Sequence, residues 1–103
     1  MDRIEIETPL LIWTGESGAR AGFVRITGEA AEAIRIAALT GQWLDKRKSR
    51  KSAKVVATIG KTRWKNSIFP DAESGGWVMP INQATRISER LEEGDLVQLS
   101  VEI

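Results

Sequence analysis

Apolar and polar residues alternate along this chain in short runs, and glycine, proline, aspartate and serine cut the runs apart. Successive side chains on a strand point to opposite faces, so period-2 runs bounded by turn residues predict strands with one face buried. The clearest stretch is Lys54 to Arg86. Val55, Ala57 and Ile59 share one face, Gly60-Lys61 makes a two-residue turn, and Trp64, Asn66 and Ile68 share a face of the next run. Pro70 to Gly76 reads as a long, mobile hairpin loop, followed by a third strand, Trp77-Val78-Met79-Pro80-Ile81. These three strands predict a meander that organises the rest of the chain. Proline cannot donate to a ladder, so Pro80 predicts an edge strand or a bulged exit. Asn66 lies on an apolar face, where an unpaired amide costs about 1–3 kcal/mol, which predicts a hydrogen bond to the backbone of a neighbouring turn.

The flanks repeat the pattern. Ile4 and Ile6 alternate with charges, Pro9 marks a bend, and Leu10 to Trp13 reads as a strand buried on both faces. Gly15 to Gly18 is turn chemistry leading into a strand at Phe23 to Ile26. Thr27 begins a helix with Glu29 and Glu32 in its first turn and an apolar stripe of Ala30, Ile34, Ala37 and Ala38, ending near Gly41. Asn82 caps a second helix over Gln83 to Arg90. Glu93-Gly94-Asp95 turns into a last strand whose Val97, Leu99, Val101 and Ile103 face inward and whose Gln98, Ser100 and Glu102 face out.

About six strands and two short helices leave too much apolar strand surface for one open sheet. The expectation is a mainly β fold, a small closed or split β-barrel with helices covering its ends, in a single domain over residues 1–103. A chain of 103 residues has room for one modest core.

Composition changes the picture mainly by removing chemistry. With no cysteine and no histidine, there is no thiolate nucleophile, no Ser-His or Cys-His dyad, and neither of the commonest metal ligands. The remaining acid/base candidates are Asp71, Glu73, Glu93 and Asp95, which sit in turn sequences and show no convergent spacing. The expectation is a protein that is not an enzyme, with no cofactor and no metal. No apolar run approaches the roughly 20 residues that span a bilayer, and the start alternates charge with isoleucine, so no membrane partner and a cytoplasmic location are expected.

Charge is unevenly distributed. Nine of the fifteen cations fall between Lys46 and Lys65 with no acid among them, while the remaining six share the chain with all fourteen acids. Lys46, Arg47, Lys48, Arg50, Lys51, Lys54, Arg63 and Lys65 are therefore candidate phosphate contacts, with Trp43 available to stack on a base. The plainer alternative is a solvated loop and a polar sheet face. Trp13 and Trp64 sit among aliphatics and read as core. Trp77 and Trp43, with Arg86, are candidates for a ligand pocket at the barrel mouth, although rim packing and an Arg86 ion pair to Glu89 or Glu93 are the structural alternatives.

Several segments in order resemble a bacterial family of unknown function: Thr58-Ile59-Gly60, Trp64 with Ser67 to Asp71, Met79-Pro80-Ile81 with Arg86, and Glu93 to Val97. In some longer proteins a domain of that family precedes a YdeI/OmpD-associated (bacteriocin-protection) domain. The resemblance covers about residues 10 to 103 and implies a small split β-barrel related in shape to AbrB-like barrels, with no established activity. Lys61 replaces a glycine common in the family, and Trp77 stands where an aliphatic residue is frequent. The favoured reading is a non-catalytic module whose loops, Gln42 to Ala53 and Asp71 to Gly76, contact a protein or small-molecule partner, with nucleic acid as the alternative. Pro80 in an edge strand predicts a monomer, and AbrB-like barrels suggest a weak dimer.

Overall fold

One long strand is shared by two antiparallel half-sheets, and the chain folds around the place where that strand changes partner. The computed structural model describes residues 3–40 and 52–102, without the side chains of residues 38–40. Among these residues the order is β1 (Arg3–Pro9), β2 (Leu11–Thr14), β3 (Arg20–Ile26), α1 (Gly28–Thr40), β4 (Ala53–Ile59), β5 (Thr62–Asp71), β6 (Gly76–Ile81), α2 (Gln83–Ser88) and β7 (Leu96–Glu102). The strands form one sheet in the order β1-β7-β4-β5-β6-β3-β2. The shared strand is β5. Thr62 to Ile68 pair with β4, whereas Phe69 to Asp71 pair with β6. No residue of β5 belongs to both ladders, so the sheet parts between the early half of β5 and the end of β6.

The two outer strands, β1 and β2, are consecutive in the chain, which curls the sheet into a half-barrel. Leu10 makes the corner. Its N–H donates to the Asp95 carbonyl (2.9 Å), and its carbonyl accepts from the Gly94 N–H (2.8 Å). Gly94 has φ +90°, a conformation open to glycine, and Asp95 closes the turn by accepting the Glu92 N–H on Oδ2 at 2.8 Å. The Thr8 hydroxyl donates to the Arg25 carbonyl at 2.9 Å, tying β1 to β3.

The core follows the alternation. Ile4, Val101, Ala57 and Trp64 lie in one row across β1, β7, β4 and β5, the small alanine making room for the indole beside it. On the other half-sheet Val24 pairs with Met79 and Ile26 with Trp77. Ala31 and Ile34 of α1 are buried against this core, and the Trp77 indole N–H donates to the Ala31 carbonyl at 3.2 Å.

Five expectations need correction. Among the described residues there are seven strands, because Leu10 breaks the first run in two. Trp13 is 60% exposed, and of residues 10–13 only Leu10 is buried. Leu11 and Trp13 register with Phe23 and Ala21 on the outer face, which a continuous apolar run conceals. Pro80 is not in an edge strand. It pairs with Phe23 in the interior of the sheet, where the β5–β6 ladder has already ended at Val78. Pro70 and Asp71 continue β5, leaving Ala72 to Gly75 as a short loop closed by the Gly75 N–H donating to the Asp71 carbonyl (2.9 Å). Ser100, on the outward face, is buried because Arg3 and Glu5 close over it: Arg3 Nε donates to its hydroxyl (2.6 Å), which donates to Glu5 Oε1 (2.9 Å).

Candidate functional site

The seam where β5 leaves β6 is a cleft of ≈ 850 Å³. Its apolar lining residues include Trp64 from β5, Ile12 from β2, Ile81 from β6 and Leu91 beyond α2. Its polar groups are Asn66, Arg20, Arg86, Asn82, Gln83, Glu92 and Glu93.

Asn66 holds one side of the seam. In register it would face the end of β6, but the ladder has stopped, so its amide takes over: Nδ2 donates to the Pro80 carbonyl at 2.8 Å, and Oδ1 accepts the Ser67 N–H at 2.8 Å. The expected backbone bond of Asn66 is present, although its partner is a strand residue rather than a turn.

The other side is held by α2, which reaches both half-sheets. Asn82 caps it by accepting the Thr85 N–H at 2.7 Å. Arg86 donates through Nη1 to the Ile81 carbonyl (2.7 Å) and lies against Gly22 of β3. Glu89, just past the helix, accepts from the Thr62 hydroxyl (2.8 Å) and packs on Gly60 of the β4–β5 turn. The helix ends at Ser88 instead of Arg90. Arg90 adopts φ +53°, with its N–H donating to the Ile87 carbonyl (3.2 Å) and the Leu91 N–H to the Arg86 carbonyl (2.8 Å). These are the paired bonds of a Schellman cap, which turn Leu91 back onto the core.

Residues 7–101 match the family model described as Domain of unknown function (DUF1905). The chain belongs to the DUF1905 family. No curated protein matches the chain.

Of the DUF1905 chain's candidate pocket residues that are described, Arg86 lies in the cleft and Trp77 does not. Trp77 is 7% exposed and belongs to the core, because it stands opposite Ile26 on the inner face while Gly76 lets its strand close up against the Ile26 carbonyl. Trp43 lies outside the described residues, as do Lys46, Arg47, Lys48, Arg50 and Lys51. Lys54, Arg63 and Lys65 are exposed on the outer face of the β4–β5 half-sheet. Arg63 is paired there with Glu102, by bonds of 2.9 and 3.4 Å, and Glu102 also borders the shallow groove of Lys54 and Lys65. Arg86 does not pair with Glu89 or Glu93, because Glu89 is turned to Thr62. Trp64, read as core, packs against it and also lines the cleft.

The candidate carboxylates are structural where their bonds are seen. The Asp71 carboxyl is held below the usual carboxylate range, first by the Ser74 hydroxyl (2.7 Å), then by backbone N–H groups of its loop and the charge of Arg25, with partial burial opposing. Arg25 Nε lies 3.2 Å from Asp71 Oδ2 but is not aligned for a hydrogen bond, and Nη2 reaches Glu73 at 3.1 Å. Among the described residues no group of three or more carboxylates could hold a metal ion, and no helix is long and apolar enough to cross a membrane.

Nothing in periodicity announces Gly22, Leu91 or Glu92 as cleft residues. The one signal was Asn66, an amide on an otherwise apolar strand face.

Proposed function

We propose that this domain is a non-catalytic binding module that takes a small molecule in the cleft at the seam. The observation that carries this reading is the cleft itself. It is a concavity within the roughly 300–1,000 Å³ range of small-molecule sites, lined by Trp64, by aliphatic side chains and by several polar and charged groups. Two of its lining residues, Asn66 and Arg86, are already held by hydrogen bonds to backbone carbonyls, so little ordering opposes binding. The absence of histidine and cysteine from the sequence favours recognition over turnover. The resemblance noted above, to domains that precede a second domain in longer chains, suits such a module. The loop at Asp71 to Gly76 is a weaker candidate contact, since its polar groups are already spent on one another.

The test is a fragment screen by two-dimensional NMR on the whole chain. Hits should shift the Trp64 indole N–H and the Asn66 side-chain amide together. Hits that shift only outer-face resonances, such as the Trp13 indole, or a screen without cleft shifts, would refute the reading.

A further inference from the structure

Arg86 is half-buried in the cleft, and among the described residues it has no carboxylate within ion-pair distance. A guanidinium carries five N–H donors. The hydrogen bond to the Ile81 carbonyl uses one, and it is the bond that fixes the group in place. Gly22 beneath it supplies no side chain, so the Arg86 side chain sits directly against the β3 backbone, and it lines the cleft. Among the described residues, the arginines that hold a carboxylate, Arg3, Arg25, Arg35 and Arg63, lie outside the cleft lining. Of the three described arginines without one, Arg20, Arg86 and Arg90, Arg86 is the one that is half-buried, and it lines the cleft together with Trp64.

We propose that the cleft selects a small aromatic monocarboxylate, an inference that rests on the binding reading above. The carboxylate matches the planar fork of Arg86, which can give two parallel N–H donors to its two oxygens. The flat body of the ligand lies on Trp64 between Ile12 and Leu91, where ring contacts add to apolar burial. The rim decides the charge. Arg20 and Arg86 are balanced by Glu92 and Glu93, so the lining has no net formal charge. A single negative charge can be placed at Arg86, whereas a phosphate or a nucleotide brings further charge toward two glutamates.

The experiment compares 2-naphthoate with 2-naphthamide, the same ring system without the charge, and with inorganic phosphate, all by NMR titration of the whole chain. Naphthoate should shift the Trp64 indole and the Arg86 Nε–H, binding at least tenfold more tightly than naphthamide, and phosphate should leave both resonances unmoved. Arg86→Gln should weaken naphthoate about 10- to 100-fold while changing naphthamide by less than about threefold. Arg86→Lys keeps the charge and much of the packing, so it serves if the glutamine variant unfolds, and it should lose at least about fivefold for naphthoate alone. Equal binding of acid and amide, equal loss of both in either variant, or tighter binding of phosphate would overturn the carboxylate proposal and leave the cleft reading standing. So would cleft shifts from fragments of other classes with none from naphthoate. A cleft that answers to no fragment at all would overturn both.

Discussion

Arg86 lies so close over Gly22 that a methyl group there would fall 2.8 Å from its Cδ and collide with Nη1. The atoms in the way belong to the end of a flexible side chain, so Gly22→Ala displaces the guanidinium without dismantling the sheet. The expected stability loss is that of one hydrogen bond, about 0.5–1.5 kcal/mol, through the contact with Ile81. The NMR shift of the Arg86 Nε–H should move by more than that of any residue on β7. A thermal unfolding curve and one spectrum check both points, and an unmoved Arg86 signal would contradict the contact.

Gly76→Ala should behave differently. A methyl group there meets the carbonyl oxygen of Ile26, with its carbon 3.1 Å away, and backbone within a ladder cannot swing aside. The cost should resemble overpacking of a core, about 1–3 kcal/mol, read as a lower denaturation midpoint. A loss no larger than that of Gly22→Ala would show that β3 and β6 can part locally.

Arg90 stands in the left-handed region at the position where a Schellman cap usually carries glycine. Relief of about 1–2 kcal/mol of strain, less the roughly 0.4–1 kcal/mol by which glycine favours the unfolded chain, leaves Arg90→Gly more stable by about 0.5–1 kcal/mol. Tm should rise by about 2–8 °C in a scanning calorimeter. Arg90→Val should lower it, since a β-branched residue tolerates that backbone poorly.

Asp71 makes stability depend on acid pH. Its folded carboxyl titrates below its ordinary value, so its contribution is complete above the unfolded value of about 3.9 and vanishes as pH falls through the lower folded one. The stability difference between the wild type and Asp71→Asn should therefore be constant near neutrality and shrink below about pH 4. Urea midpoints measured at several pH values test this. A difference that grows in acid would reverse the sign of the argument.

Much of the fold was legible because alternation reports a face directly. Val55, Ala57, Ile59, Val97, Leu99 and Val101 are buried where period 2 placed them, and the Gly60-Lys61 and Glu93-Gly94-Asp95 turns stand where turn chemistry put them. Local pattern does not say which strand lies alongside which. That β5 changes partner at Ile68 is a tertiary event, and Pro80 was misplaced for the same reason, since its tolerance depends on where the neighbouring ladder ends. Tryptophans were misread in both directions. Trp13 and Trp77 lie in similarly apolar runs, and only their register against Ala21 and Ile26 sends one outward and the other into the core. The cleft inherited this limit: Arg86 could be named, while Gly22, Asn66 and Trp64 became its neighbours only through a seam that no single segment encodes.

The pairing of β1 with β7 also sets an order of events during synthesis. Ile4 and Ile6 have as their ladder partners Val101 and Leu99, which leave the ribosome roughly 90 residues later, about 5–20 s at ordinary elongation rates. Over that interval the meander of β4 to β6 can close by local contacts, while β1 waits as a free apolar strand. The charges interleaved with its isoleucines, Arg3, Glu5 and Glu7, keep that waiting strand soluble before Arg3 and Glu5 settle over Ser100.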